Sequence, residues 1–235
     1  MSNKKILIIV PAYNEEGNIA QTIKEILSLK LPLTVVVIND GSLDATAEEA
    51  RKFKVNVISL AYNLGIGAAV QTGFKFALKE DFDIAVQVDG DGQHDVAFLE
   101  KLIEPIKNDD ADIVVGSRFL APFLGYQSSF IRRFGIHFFA RLISFLVGFR
   151  ITDPTSGFRA YNKKIIKSFA MDYPNDYPEP EAIVMARRFN ARLVEIPVQM
   201  RKRQSGYSSI RYLRTLYYMI KVTFAVLLTM LRKAR

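Results

Sequence analysis

Short apolar runs alternate with amphipathic stretches along the first half of the chain. The apolar runs predict β-strands at residues 6–10, 35–38, 55–60, 84–88 and 113–115. The stretches between them predict helices at residues 18–29, 44–53, 68–79 and 96–107. We expect Asp44 to be the N-cap of the second helix, because its carboxylate can accept a hydrogen bond from a free backbone N–H. Continuous apolar strands separated by helices are typical of a parallel sheet covered on both faces.

The second half of the chain is less regular. Residues 129–148 predict a basic amphipathic helix, in which phenylalanines recur at Phe130, Phe134, Phe138 and Phe145 with arginines between them. Residues 182–189 predict a helix, residues 193–198 a strand, and residues 210–231 a long terminal helix. We find no repeat or linker. We therefore expect one catalytic domain over residues 1–212 and a C-terminal amphipathic helix extension over residues 213–235.

Composition narrows the classes of partner. The chain has 235 residues, no cysteine and a net charge of +8, which excludes disulfides and favours anionic partners such as phosphates or an acidic lipid surface. Pro11 ends the first apolar run, which indicates a strand and not a signal peptide. Residues 216–231 contain Lys221 and fall short of the roughly 18 apolar residues that span a bilayer, so we expect no transmembrane segment.

Two carboxylates, Asp89 and Asp91, follow the fourth predicted strand with Gly90 between them. In extended backbone, side chains two residues apart point the same way, so these carboxylates repel each other unless a cation lies between them. A hard divalent cation such as Mg²⁺ or Mn²⁺ suits oxygen ligands and also binds phosphate oxygens. Gln93 could reach the same ion. The alternative is a polar turn, because Asp and Gly favour turns.

Polar side chains also follow the first three predicted strands. Ligands of open α/β sheets bind outside the carboxyl ends of the strands, so these residues are candidates for binding. Tyr13 could stack on a base, Glu15 could accept a hydrogen bond from a ribose or base, and Asp40 could bind a base edge. Asn63 begins a loop with two glycines. The alternative for each is an ordinary strand-to-helix turn.

The order of these motifs resembles that of family 2 glycosyltransferases with the GT-A fold. The similarity is to the dolichol-phosphate mannose synthases and bacterial polyprenyl-phosphate glycosyltransferases, and it covers about residues 5–212. The matching segments are residues 11–16, 40–42, 63–67, 89–94, 116–119, 153–159 and 203–208.

The resemblance implies a Rossmann-like, mostly parallel α/β sheet flanked by helices, with amphipathic helices at a membrane surface. It implies inverting transfer of a sugar from a UDP- or GDP-sugar to a polyprenyl phosphate. The implied nucleotide-sugar site comprises Pro11, Tyr13, Glu15, Asp40, Asn63, Asp89, Gly90 and Arg203. The implied ligands of Mg²⁺ or Mn²⁺ are Asp89, Asp91 and Gln93. The implied catalytic residues are Asp91, Arg118 and Glu181, where Glu181 acts as a base only if the acceptor is a hydroxyl.

The two basic helices predict a peripheral protein on the cytoplasmic face of the cell membrane. The candidate partners are the membrane surface and a small membrane protein. The alternative for both helices is that they pack in the core and leave a charged side in solvent. The alternative to a functional role for Arg118 and Arg159 is a structural ion pair. We expect His94 to support the carboxylates and His137 to lie on a helix surface. A nucleotidyltransferase is disfavoured, because acidic residues replace the basic phosphate loop after the first strand. The net charge permits a non-enzymatic basic module that binds nucleic acid or a membrane, but the acidic strand ends disfavour it, because they would repel a polyanion unless a metal ion were present. A hydroxyl acceptor on a glycan stays open.

Overall fold

The computed structural model describes residues 4–120, 130–201 and 212–231, and the architecture below is that of these ranges. The strands are β1 (Ile6–Ala12), β2 (Leu33–Asn39), β3 (Asn56–Ser59), β4 (Ile84–Gln87), β5 (Ile113–Ser117), β6 (Arg159–Asn162) and β7 (Leu193–Pro197). The helices are α1 (Ile19–Ser28), α2 (Thr46–Arg51), α3 (Ile66–Lys79), α4 (Leu99–Lys107), α5 (Phe130–Val147), α6 (Lys163–Met171), α7 (Pro178–Arg188) and α8 (Tyr212–Leu231). A short 3₁₀ helix, Val96–Phe98, precedes α4.

The strands form one seven-stranded sheet in the order β3-β2-β1-β4-β6-β5-β7. The pairs among β1 to β4 are parallel, and β5 also pairs with β7 in parallel. Among the described strands, only β6 runs antiparallel, between β4 and β5. The mostly parallel α/β sheet expected from the sequence is therefore confirmed.

The continuous apolar run of β1 is explained by its central position. All seven residues of β1 are buried. Ile8 and Val10 pack in a cluster with residues of α1 and α4, whereas Leu7 and Ile9 pack on the opposite face with residues of α3 and α6. Because side chains alternate along a strand, a strand covered on both faces must be apolar at every position.

Three local features differ from the sequence predictions. Strand β6 was not predicted, because it has polar residues at both ends and only two apolar residues between them. Helix α6, which follows it directly, was not predicted either. Helix α7 begins at Pro178, four residues before the predicted start, since proline at the first helical position lacks only an N–H that has no intrahelical acceptor. Asp44 is not the N-cap of α2. Ala45 occupies that position, and the Asp44 carboxylate accepts from the Thr46 N–H at 3.0 Å.

A third apolar cluster joins α5, α7 and α8. Val222 and Val226 of α8 are fully buried there, together with Ile143 of α5 and Val184 of α7. One side of α8 therefore packs in the core, as the alternative to membrane binding anticipated. None of the helices in the described ranges is long and apolar enough to cross a membrane. The division into a catalytic domain over residues 1–212 and an extension over residues 213–235 stays a prediction.

Candidate active site

A cleft of about 500 Å³ opens at the carboxyl ends of the central strands. Seven of the predicted nucleotide-sugar residues line it, together with Asp91: Pro11, Tyr13, Glu15, Asp40, Asn63, Asp89 and Gly90. The eighth, Arg203, lies outside the described residues.

Backbone pairing beyond the strand ends brings these residues together. The Asp40 N–H donates to the Ala12 carbonyl at 2.9 Å, and the Gly90 N–H donates to the Pro11 carbonyl at 3.1 Å. The turns after β2 and β4 therefore lie on either side of the turn after β1. This arrangement follows from parallel strands, whose carboxyl ends share one edge of the sheet.

The turn after β1 fixes Glu15 and leaves Tyr13 accessible. The Glu15 N–H donates to the Thr46 hydroxyl at 2.8 Å, and its carboxylate accepts from the Asn18 side chain at 2.6 Å. Glu15 is 8% exposed, whereas Tyr13 is 42% exposed. The Tyr13 ring is thus available to a flat ligand, and Glu15 presents a carboxylate whose position is already set.

Asp40 holds the loop after β3. Its two carboxylate oxygens accept from the N–H groups of Leu64 at 2.8 Å and Gly65 at 2.9 Å. Asp40 is almost fully buried. Each carboxylate oxygen has a second lone pair, so this structural role leaves Asp40 able to accept one more hydrogen bond from a ligand.

Asp89 is oriented by two neighbours. The Gln87 amide donates to its Oδ1 at 3.0 Å. The Asp89 backbone N–H donates to Nδ1 of His94 at 3.0 Å, which assigns the imidazole proton to Nε2, 3.6 Å from Oδ2 of Asp89. His94 is buried and stacks on Phe158, with ring centroids 4.9 Å apart. His94 thus lies beside the carboxylates as expected, and His137 is exposed on α5 as expected.

Asp91 and Gln93 form a tight turn. The Gln93 N–H donates to Oδ1 of Asp91 at 3.0 Å. The Gln93 side chain lies 3.4 Å from the Arg201 carbonyl, and the Arg201 N–H donates to the Gln93 carbonyl at 2.8 Å. Asp91 lines the cleft, whereas Gln93 is not among its described lining residues and ties the turn to the segment after β7.

The oxygen donors of the cleft fit a hard divalent cation. The Asp89 side chain is 35% exposed, and Asp89 and Asp91 line the same cleft. Within the described ranges, no group of three or more His, Cys, Asp or Glu side chains could hold an ion. Mg²⁺ is commonly held by one or two carboxylates, water and substrate phosphates, so two carboxylates are sufficient when a diphosphate supplies the other ligands.

Arg118 forms a buried ion pair, as its structural alternative anticipated. Its guanidinium donates to Asp153 at 2.6 and 2.7 Å and to Thr155 at 2.7 Å. Burial opposes the charge, but the carboxylates of Asp153, Asp89 and Glu179 outweigh burial and raise the pKa of Arg118. The pair therefore lies within electrostatic reach of Asp89. Arg159, which is fully buried, instead donates to three backbone carbonyls, including that of Glu179 at 2.8 Å.

The sequence places the candidate bases within residues 177–181 and favours Glu181, yet the surroundings of Glu179 in the same segment link Glu179 to the site. Burial raises the pKa of the Glu179 carboxyl. The positive charge of Arg159 opposes this rise in pKa, and the negative charge of Asp89 adds to it. The first turn of α7 is brought towards the cleft by Gly67, at which a Cβ would lie 2.2 Å from the Pro174 carbonyl oxygen. The Glu181 carboxylate accepts from the Thr229 hydroxyl of α8 at 2.8 Å. Residues two apart on a helix face different sides, so Glu179 and Glu181 point in different directions. The sequence could have separated the two only if α7 had been predicted to begin at residue 178.

Comparisons with known proteins identify the family of this chain. The profile of the family described as "Glycosyl transferase family 2" matches residues 7–169. The chain is 31% identical over 218 residues to a UDP-N-acetylglucosamine–dolichyl-phosphate N-acetylglucosaminyltransferase of Methanococcus voltae, covering 85% of this chain and 86% of that one. It is 27% identical to a polyprenol monophosphomannose synthase of Mycolicibacterium smegmatis, covering 88% and 81%.

Solved structures share the fold. Glucosyl-3-phosphoglycerate synthase from Mycobacterium tuberculosis, in complex with Mn²⁺, UDP and glucosyl-3-phosphoglycerate, superimposes with a TM-score of 0.75 at 20% identity. The superposition covers 100% of this chain and 82% of that one, so the sheet and its helices have the GT-A architecture. The profile match over most of the chain, with the carboxylates of the cleft inside the matched range, shows that this protein belongs to glycosyl transferase family 2.

Proposed function

We propose that this glycosyltransferase transfers a sugar, with inversion, from a nucleotide diphosphate donor to a polyprenyl phosphate at the cytoplasmic face of a membrane. The observation that carries the proposal is the single cleft in which Asp89 and Asp91 meet Tyr13, Glu15 and Asp40. One side of this cleft suits a nucleoside and the other suits a metal-bound diphosphate. The dolichyl and polyprenol acceptors in the names of two relatives support the choice of acceptor.

In the proposed complex, Tyr13 stacks on the base while Glu15 and Asp40 accept hydrogen bonds from the nucleoside, with Pro11, Asn63 and Gly90 shaping the pocket. Asp89 and Asp91, with Gln93 as a further candidate, hold Mg²⁺ or Mn²⁺. When bound, such an ion neutralises the negative charge that develops on the leaving diphosphate. Arg203 is a further candidate for phosphate binding. The buried pair of Arg118 and Asp153 positions a positive charge near Asp89.

The acceptor determines whether the reaction needs a base. A phosphate oxygen is already anionic near pH 7, so it can attack the anomeric carbon while the bond to the donor diphosphate breaks on the opposite side. A hydroxyl on a glycan would have to lose a proton. This second candidate function is favoured by one observation, the partly buried Glu179 near Asp89 and Arg118. Glu181, the base implied by the resemblance, is hydrogen-bonded to α8.

The surface formed by α5 and α8 supports the membrane location. Neither helix contains an acidic residue. Their outer faces expose large apolar side chains, among them Phe145 at 84% and Leu231 at 80%. An apolar face without negative charge suits an anionic bilayer surface, and it would equally suit a small membrane-protein partner. Fractionation of the protein expressed alone, without detergent, tests that partner, because firm attachment on its own would make it unnecessary.

The direct test is transfer of labelled sugar from a panel of UDP- and GDP-sugars into the organic extract of membranes supplied with polyprenyl phosphate. We expect chelator-sensitive label in the lipid phase from one donor, and none with an Asp91→Asn variant. A lipid product that forms fully in chelator would overturn the metal assignment. Donor binding without any lipid product would overturn the acceptor assignment and favour a hydroxyl acceptor.

A further inference from the structure

A second cavity lies apart from the donor cleft, beside the last two turns of α5. It is an open groove of about 750 Å³ between α5, Phe119 and the loop that leads from α5 to Thr152. Exposed aromatic rings form its rim, with Phe145 84% and Phe149 37% exposed. No described residue lines both this groove and the donor cleft. The groove therefore has no role in the proposed binding of the nucleotide sugar.

The groove has a positive, hydrogen-bonding interior. Arg141 and Arg150 both line it and are both exposed, as is His137. No ion pair of either arginine with another described residue is present. The described lining residues include no Asp or Glu. Two guanidinium groups without counter-ions suit a phosphate, which they can bind through several charge-assisted hydrogen bonds.

Neighbouring negative groups are already neutralised or satisfied. The Glu195 carboxylate accepts from the Thr152 N–H and hydroxyl, each at 2.8 Å, and from the Asp153 N–H at 2.9 Å. Asp153 in turn pairs with Arg118. The carbonyl end of α5 would repel an anion, but the Arg187 guanidinium donates to the Leu146 carbonyl there.

The loop that carries Arg150 is fixed to α5 and not free in solution. The Ser144 hydroxyl accepts from the Ile151 N–H at 2.8 Å and donates to the Ala140 carbonyl at 2.6 Å. Gly148 ends the helix with a positive φ of 81°, which glycine adopts without strain. The backbone that carries Arg150 is therefore fixed at the groove that Arg141 also lines before any ligand binds, which lowers the entropic cost of binding.

The surroundings of the groove indicate the source of the phosphate. On α5, Phe138, Arg141 and Phe145 follow one another at helical spacing on the exposed face, so apolar and basic side chains share that face. Helix α8 packs against α5 and exposes a second apolar stripe of Ile220, Phe224, Leu228 and Leu231. A soluble phosphate would need only the guanidinium groups, whereas a bilayer surface would also cover the exposed aromatic and aliphatic side chains.

We propose that this groove binds the headgroup phosphate of an anionic bilayer phospholipid, with Arg141 and Arg150 contacting the phosphate and Phe145 entering the acyl boundary. The inference deepens the proposed function, because it assumes that α5 and α8 face a membrane. It adds that the attachment is selective for anionic lipid and has a defined site. Phe119 and Thr152, which line the groove, adjoin Arg118 and Asp153, so a lipid bound there would hold the active site next to the bilayer.

The test is co-sedimentation of the full chain with vesicles in the absence of any donor. One set of vesicles is phosphatidylcholine, and the other is an equal mixture of phosphatidylcholine and phosphatidylglycerol. We expect Arg141→Ala/Arg150→Ala to bind the mixed vesicles more weakly by about fivefold for each arginine, and to bind phosphatidylcholine as the wild type does. We expect Phe145→Ser to weaken binding to both sets.

The matched control is Lys54→Ala/Lys75→Ala, which removes the same charge from two exposed lysines outside α5 and α8. It should change binding to the mixed vesicles by less than about twofold. An equal loss in this control, or equal binding of the wild type to both vesicle sets, would overturn the groove assignment. An unchanged thermal midpoint establishes that the variants are folded. Failure of sugar transfer from every donor, with lipid selectivity intact, would instead count against the proposed function.

Discussion

At the scale of single residues, the orientation of Asp89 depends on groups that do not themselves enter the cleft. Gln87 donates to one carboxylate oxygen and His94 accepts from the backbone N–H. Gly157 leaves no spare room, because a Cβ there would lie 2.9 Å from Nε2 of Gln87 and 3.0 Å from Oδ2 of Asp89. Residues that orient metal ligands in this way commonly matter almost as much as the ligands.

This argument predicts different effects for two substitutions of His94. His94→Asn keeps an acceptor for the Asp89 N–H, whereas His94→Phe keeps a ring on Phe158 but removes the acceptor. We expect His94→Phe to weaken Mn²⁺-dependent binding of UDP or GDP by about tenfold or more, and His94→Asn to retain most of it. Calorimetric titration with the nucleotide that the wild type binds is the measurement. Equal binding by both variants would contradict the orienting role.

Glu179 predicts a dependence of stability on pH. Burial raises the pKa of its carboxyl above the ordinary value of 4.5, so the native state binds the proton more tightly than the unfolded state does. Below the ordinary value both states are protonated. As the pH rises through the native pKa, ionisation of the buried carboxyl lowers the free energy of unfolding.

We therefore expect Glu179→Gln to be more stable than the wild type near pH 7, with the difference vanishing near pH 4. Denaturant unfolding from about pH 4 to pH 7 measures this difference in stability. A chelator in the solution ensures that no metal ion is bound beside Asp89. Glu100→Gln, which changes an exposed carboxylate of α4, is the control and should show no such trend. A Glu179→Gln variant less stable than the wild type at neutral pH would contradict the burial of this carboxyl.

At the scale of elements, two helical glycines with different surroundings show how α7 reaches the cleft. A Cβ at Gly67 of α3 would lie 2.2 Å from the Pro174 carbonyl oxygen and 2.4 Å from that of Asn175. Among the residues whose side chains the structure describes, a Cβ at Gly135 of α5 would meet only the Met219 sulfur, at 3.7 Å. The first contact is with backbone, which cannot rotate away, so the segment before α7 must move if α3 gains a side chain there.

We expect Gly67→Ala to destabilise the protein by about 1–3 kcal/mol, because overpacking outweighs the helix propensity of alanine. Gly135→Ala should instead stabilise it by about 0.5–1 kcal/mol, since alanine reduces the entropy of the unfolded chain. Chemical denaturation gives both values. If Gly67→Ala were as stable as Gly135→Ala, the close packing of α3 against the segment before α7 would be wrong.

At the scale of the whole molecule, the sequence predicts elements well where burial makes them uniformly apolar. Strands β1, β2, β4 and β5 were predicted because their runs of apolar residues are covered on both faces. Parallel pairing then places their carboxyl ends together, which is why the residues of the donor cleft could be proposed from the sequence. Strand β6 could not be, because it depends on long-range contacts. Asn162 at its end donates to the Asp112 carboxylate, 50 residues earlier, and Arg159 at its start donates to the Glu179 carbonyl in α7.

The relation of α8 to the rest of the molecule gives the last prediction. Val226 is fully buried against α5 and α7, whereas Phe224, two residues earlier, is 63% exposed. If α8 belongs to the same core, Val226→Ala should lower the free energy of unfolding by about 2 kcal/mol in one cooperative transition, because it removes two buried methyl groups. Phe224→Ser should change stability by less than about 0.5 kcal/mol but weaken binding to neutral and anionic vesicles alike. Denaturant unfolding shows whether the protein unfolds in one transition or whether α8 unfolds separately. A separate low-stability transition in Val226→Ala would support residues 213–235 as an extension that folds apart from the catalytic domain.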